Sequence, residues 1–189
     1  SIVALNADTG KYVWHYQETP GDSWDFDSAQ DMVLADLPID GASRKVLLHA
    51  PKNGFFYVLD RKSGKLLSAT PYVADINWTT GIDPKTGRPN IPPETYYVNA
   101  PFTAHPGEGG AHGWQPLAFS PRTSLVYFPA AENSTYFVAP EKYEFIEGID
   151  NPGIDHGALP PPAPGAEAAA DVSKQNPAAR GGKSYLLAW

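Results

Sequence analysis

The stretch Gly21-Asp22-Ser23-Trp24-Asp25-Phe26-Asp27-Ser28 sets three carboxylates and two aromatic rings within eight residues. Two carboxylates on one side of a chain make either a cation site or an acid/base pair; left unpaired, they repel and raise each other's pKa. In strand-like geometry side chains alternate, which predicts Asp25 and Asp27 on one face and Phe26 in the packing. The same residue types also suit an exposed loop on which Asp22, Asp25 and Asp27 serve as turn and capping groups.

Such acids need a frame. The turn residues Thr19-Pro20-Gly21-Asp22 bring the chain in and the apolar run Met32-Val33-Leu34-Ala35 takes it out, which places the acids on a loop end beside a strand. The chain has 189 residues, 42% of them hydrophobic and 12% aromatic, enough for one sizeable core. Its 17 Gly and 20 Pro predict many turns and few long helices. The formal net charge is −7 and Lys and Arg form no run, so nucleic acid and anionic membranes are poor partners. Cysteine is absent, which excludes a disulfide, a thiolate metal site and a c-type haem attachment motif within these residues. No signal peptide and no membrane-spanning apolar run is present. The first residues, Ser1-Ile2-Val3-Ala4-Leu5, and the last, Ser184-Tyr185-Leu186-Leu187-Ala188-Trp189, both read as strands in progress. The expectation is a piece of a longer protein, in which a missing leader says nothing about secretion.

A degraded repeat supplies the strands. Ala4-Leu5-Asn6-Ala7-Asp8-Thr9-Gly10-Lys11-Tyr12-Val13-Trp14 reads as strand, tight turn and strand ending in Trp, and Val58-Leu59-Asp60-Arg61-Lys62-Ser63-Gly64-Lys65-Leu66-Leu67 repeats it. Weaker echoes lie at Phe119-Ser120-Pro121-Arg122-Thr123-Ser124-Leu125-Val126-Tyr127 and at the terminal Leu186-Leu187-Ala188-Trp189. The Gly takes the positive-φ turn position and the Trp wedges between neighbouring sheets. A spacing of roughly fifty to sixty residues suits one four-stranded propeller blade plus insertions. Asp40-Gly41 and Asn53-Gly54 are hairpin signals between short β-rich runs. No stretch has a period-3.6 apolar face, so the fold class is all-β. Residues 139–183 differ: Pro160-Pro161-Pro162-Ala163-Pro164-Gly165 and the Ala-rich residues after it suit no sheet interior. They read as a long surface insertion with one short helix at 166–173.

Together with His49-Ala50-Pro51-Lys52-Asn53-Gly54-Phe55-Phe56 and Gly109-Gly110-Ala111-His112-Gly113-Trp114-Gln115-Pro116, these motifs resemble the pyrroloquinoline quinone (PQQ)-dependent alcohol dehydrogenases, the methanol/ethanol dehydrogenase family. The sequence is most similar to the soluble quinohaemoprotein branch. The resemblance covers the whole chain and implies an eight-bladed β-propeller with Trp-docking motifs, of which residues 1–189 would supply about three blades. It implies PQQ bound near the axis over a calcium or lanthanide ion, and oxidation of a primary or secondary alcohol to an aldehyde or ketone. Asp25 matches the catalytic base and Lys52 the group that hydrogen-bonds and polarises the quinone oxygens. Asp27, with Asp25, matches a cation ligand, and an added carboxylate at 27 favours a trivalent lanthanide over calcium. Trp114 offers PQQ a backbone N–H, whereas Gly113 stands where the family commonly carries an Asn near the cofactor. Another Glu, an Asn and a Trp that the family uses match nothing in this chain and come from elsewhere in the propeller. His112 is either a polar neighbour of the site or a satisfied structural residue, and Trp24 and Trp78 read as packing rather than as the substrate mouth. The resemblance further implies a small alcohol substrate, a cytochrome c electron acceptor, a periplasmic location, and in some relatives a haem c domain that would lie outside this stretch; it leaves the oligomeric state open. A non-catalytic PQQ-repeat propeller serving as a binding or assembly scaffold is the alternative. Such a scaffold has no reason to keep an acid pair together with this Lys.

Overall fold

The computed structural model describes residues 1–149, 151–155, 157–158 and 182–189. Among them the regular elements are eleven strands and one 3-10 turn, Pro93–Thr95. None is a helix long and apolar enough to cross a membrane.

Strand β1 (Ile2–Leu5) pairs antiparallel with β2 (Tyr12–Tyr16), Ala4 opposite Trp14. Next comes a four-stranded antiparallel meander of β3 (Met32–Ile39), β4 (Ala42–His49), β5 (Phe55–Asp60) and β6 (Leu66–Pro71), in sequence order. The short β7 (Phe102–Ala104) pairs with β10 (Thr135–Phe137). The last sheet has β9 (Leu125–Ala131) between β8 (Ala118–Ser120) and β11 (Ser184–Ala188). One complete four-stranded blade flanked by smaller sheets is what a partial β-propeller looks like.

The repeat works as a docking device. In its turns the carbonyls of Asn6 and Asp60 accept from the N–H of Gly10 and Gly64, each at 2.8 Å. Asn6 and Asp60 Oδ1 accept from Thr9 and Ser63 N–H, each at 2.9 Å. Trp14 Nε1 donates to the Arg61 carbonyl at 3.1 Å, and its ring lies over the second turn. A Cβ at Gly64 would come within 2.5 Å of Trp14 Cε3, and φ there is +71°, so glycine is required twice over. A further copy, Asp83-Pro84-Lys85-Thr86-Gly87, was not singled out from the sequence because it stands off the expected spacing. It makes the same Gly87 N–H to Asp83 carbonyl bond, at 2.8 Å, and receives the Tyr16 hydroxyl on the Gly87 carbonyl at 2.6 Å. Trp14 and Tyr16, two apart on β2, thus clamp two successive turns.

Both hairpin signals hold and one expectation is corrected. Asp40-Gly41 is a tight turn, with φ of +53° and +76°. Asn53-Gly54 likewise connects an antiparallel pair, β4 with β5, by a longer bend: Asn53 is fully buried and its side-chain N–H groups reach Thr19 Oγ1 and the Tyr57 hydroxyl, so this bend is built around a side chain. The strand-like geometry does not hold for residues 22–30, since Asp25 has φ +62° and the segment is irregular.

The strand β5 is buried on both faces. Phe55, Tyr57 and Leu59 join one core cluster with Trp14, Trp24, Phe26 and Trp78, while Phe56 joins a second with Leu48, Val126 and Phe128. The described part of 139–183 contains no strand; the excursion follows β10, and the chain then adds β11 to the sheet of β9. The polyproline run and the short helix expected at 166–173 lie outside the described residues.

Candidate functional site

Lys52 stands on the bend between β4 and β5, and its ammonium is flanked by both acids: Nζ lies 2.9 Å from Asp25 Oδ2 and 2.7 Å from Asp27 Oδ2. The two carboxylates do share a side, with Phe26 buried between them, but the left-handed backbone of Asp25 achieves this rather than strand alternation. Asp tolerates that conformation at modest cost. The loop is pinned from below by Trp24, which is fully buried, stacks on Phe26, packs at a tilt against Trp78, and donates from Nε1 to the Thr95 carbonyl at 3.0 Å. Asp22 Oδ1 accepts from the Trp24 N–H at 2.9 Å, a capping role, and burial pushes its carboxyl above the usual range.

Burial works against the charges of Lys52 and Asp27, but their mutual bond wins. The Lys52 pKa is raised, with Asp25 adding to the effect, and that of Asp27 is lowered. Asp27 therefore contributes stability above its unfolded pKa of about 4, lost as pH falls through its folded value; Lys52 contributes below about 10, lost as pH rises through its own. Since the Asp27 side chain is 46% exposed, the gain is about 0.5–1 kcal/mol at most. We expect denaturant unfolding to show wild type and Asp27→Asn separated by a small constant gap between about pH 5 and 9, closing below about pH 4. A gap that widens in acid would contradict the pairing.

The glycine loop reaches the same place. The Ala111 N–H donates to the Lys52 carbonyl at 2.8 Å, and Gly110 lies so close that a Cβ would come within 2.3 Å of Lys52 Cγ. His112 is buried, with Nδ1 2.6 Å from the Ala50 carbonyl and Nε2 2.9 Å from that of Gln115, so its ring is engaged by backbone on both sides, which suits a structural role. Trp114 is 87% exposed; it and Gly113 line a cavity of about 370 Å³ with Pro129 and Ser184. Asp25 faces a different one, of about 540 Å³, with Asp22, Tyr97, Glu108, Pro152 and Ile154. The fold thus brings Asp25, Asp27 and Lys52 into contact and leaves Gly113 and Trp114 beside them rather than among them. Trp24 and Trp78 are fully buried packing residues.

Sequence reasoning missed Glu18 and gave His49 no role, yet the two form a fully buried pair, Nδ1 to Oε1 at 2.7 Å. Only the position of His49 within the motif around Lys52 could have pointed to it.

Among the described residues no group of three or more His, Cys, Asp or Glu stands in a metal-binding array. Asp25 and Asp27 offer hard oxygen donors that fit part of a calcium or lanthanide shell, and Lys52 offers a fixed donor for an anionic or carbonyl oxygen.

Residues 1–72 match the family described as glucose/ethanol/alcohol dehydrogenase, beta-propeller domain. The chain is 48% identical over 196 residues to the quinohemoprotein alcohol dehydrogenase ADH-IIG of Pseudomonas putida, the match covering 100% of this chain and 26% of that protein. Among solved structures, the quinohemoprotein alcohol dehydrogenase of Comamonas testosteroni superposes with a TM-score of 0.71 at 52% identity, over 76% of this chain and 21% of that one. A europium-containing methanol dehydrogenase does so with a TM-score of 0.69 at 39% identity, over 72% and 24%. The chain spans about a quarter of the length of the proteins it matches.

Proposed function

Because the chain belongs to the PQQ-dependent alcohol dehydrogenase family, we propose that it supplies the proton-accepting and quinone-polarising groups of a periplasmic enzyme. That enzyme oxidises primary or secondary alcohols to aldehydes or ketones and passes electrons to a cytochrome c. The observation that carries this is the Lys52 ammonium held at 2.9 and 2.7 Å by Asp25 and Asp27.

PQQ, when bound, supplies an ortho-quinone that accepts the two electrons, and its cation supplies Lewis acidity. Asp25, on the cavity side, takes the hydroxyl proton of the alcohol onto a carboxylate oxygen as the carbon it bears is oxidised. Lys52, already oriented by two carboxylates, donates hydrogen bonds toward oxygens on which negative charge develops. Asp27 and Asp25 would hold the cation together with donors from elsewhere in the propeller. A second negative charge at this point strengthens the preference for a trivalent ion, and the likeness to the europium-containing enzyme supports that reading. Trp114 would offer its backbone N–H, and Gly113 no side chain. A scaffold propeller would have no use for a lysine neutralised by two acids on irregular loops.

The test is reconstitution of the full-length apo-protein with PQQ plus either calcium or lanthanum. The expected result is bound quinone absorbance and alcohol-driven dye reduction, greater with lanthanum. Full activity with calcium alone removes the role given to Asp27; no bound quinone under either condition removes the enzyme reading.

A further inference from the structure

Among the described residues, 21–31 make no backbone–backbone hydrogen bond, so side chains alone set the geometry of the loop that carries Asp25 and Asp27. The chief tie at its far end is Gln30. Its Nε2 donates to Asp27 Oδ1 at 3.3 Å and to the His112 carbonyl at 3.4 Å, which joins the acid loop to the glycine loop. The Gln30 carbonyl lies 3.1 Å from His49 Nε2, and His49 Nδ1 lies 2.7 Å from Glu18 Oε1. A carbonyl oxygen only accepts, so the bond to Gln30 requires hydrogen on Nε2 and leaves Nδ1 to pair with Glu18. All three side chains are buried. Two of their oxygens, Glu18 Oε2 and Gln30 Oε1, have no partner, a cost that apolar side chains of the same size would avoid.

We propose that Glu18, His49 and Gln30 are a buried positioning relay that holds Asp27 in register with Lys52. The inference rests on the reading above in taking Asp27 and Lys52 as the working groups, but the arrangement is independent of any bound molecule. Glu18 fixes the His49 ring, the ring fixes the Gln30 backbone, and the Gln30 amide orients Asp27 against the ammonium.

The test uses the full-length apo-protein and trace acetylation by acetic anhydride, with mass spectrometry reading Lys52 against Lys11 and Lys62. Asp27→Asn breaks one of the two ion pairs that hold Lys52 Nζ in place, and should raise its labelling about three- to tenfold. Gln30→Leu should do the same and add nothing in the Asp27→Asn background, while Glu18→Gln should give a smaller rise; the reference lysines stay unchanged. The proposal is overturned if Gln30→Leu and Glu18→Gln leave Lys52 at the wild-type rate, or if the double variant is additive. Should Gln30→Leu fail to fold, Glu18→Gln, which keeps the shape of the side chain, decides alone. Labelling needs neither quinone nor cation, so failed reconstitution leaves the relay standing, and unchanged labelling leaves the enzyme reading standing.

Discussion

Asp25→Asn should lower kcat of the reconstituted full-length enzyme by about 100- to 10,000-fold, the range a positioned general base contributes, with bound quinone retained. The replacement is isosteric and its amide oxygen can still accept from Lys52 Nζ, now 2.9 Å from Asp25 Oδ2. What disappears is the negative charge and the capacity to take a proton. Of the two acids on Lys52, Asp25 lines the cavity of about 540 Å³, with Asp22, Tyr97 and Glu108, whereas Asp27 is tied to Gln30. An alcohol in that cavity has Asp25, and not Asp27, on its wall. Asp27→Asn should therefore act mainly on the cation requirement, and the two variants should separate in a comparison of kcat with the cation concentration needed for half-activation. Retention of more than a tenth of the wild-type kcat by Asp25→Asn would transfer the role of base to another group.

The fold was legible because its signals are local. An Asx-type turn closed by glycine is complete within about five residues, and Trp14 follows the first such turn within its own hairpin, although the turn it docks on, at Arg61 and Gly64, lies some way further along the chain. The site was legible only through resemblance. Lys52 and Asp25 are 27 residues apart and lie on irregular segments, where period-two reasoning has no purchase. Alternation nevertheless put both acids on one side for the wrong reason, since the positive φ of Asp25 does the turning. Asn53-Gly54 does mark a hairpin, between β4 and β5, but nothing in the dipeptide shows that packing recruits the Asn53 amide into the core. Glu18 was invisible. A glutamate between Gln17 and Thr19, just before a turn, reads as solvated, and only its pairing with His49, 31 residues on, makes its burial tolerable.

Trp24→Ala should cost about 3–5 kcal/mol of stability, the range for emptying a fully buried Trp site. The ring is wholly inaccessible and touches Phe26, Trp78 and Tyr96 at centroid separations of 5.7, 5.6 and 5.1 Å. Its Nε1 bond would be lost too, and the Thr95 carbonyl left without that donor. Collapse cannot fill the space cheaply, because Trp78 is itself fixed by a 2.9 Å bond to the Asn53 carbonyl. Trp24→Phe, which keeps most of the apolar contact, should lose well under half as much. The residue also sits between the Asp22 cap and Asp25, on a loop that lacks backbone ties of its own. Its removal should therefore depress kcat beyond what the folded fraction explains, because Asp25 loses the anchor that fixes its left-handed turn. Chemical denaturation gives the first quantity and activity per folded molecule the second. A stability loss below about 1 kcal/mol would mean that Trp24 does not pack as described, and would return it to consideration as a lining residue of the substrate mouth.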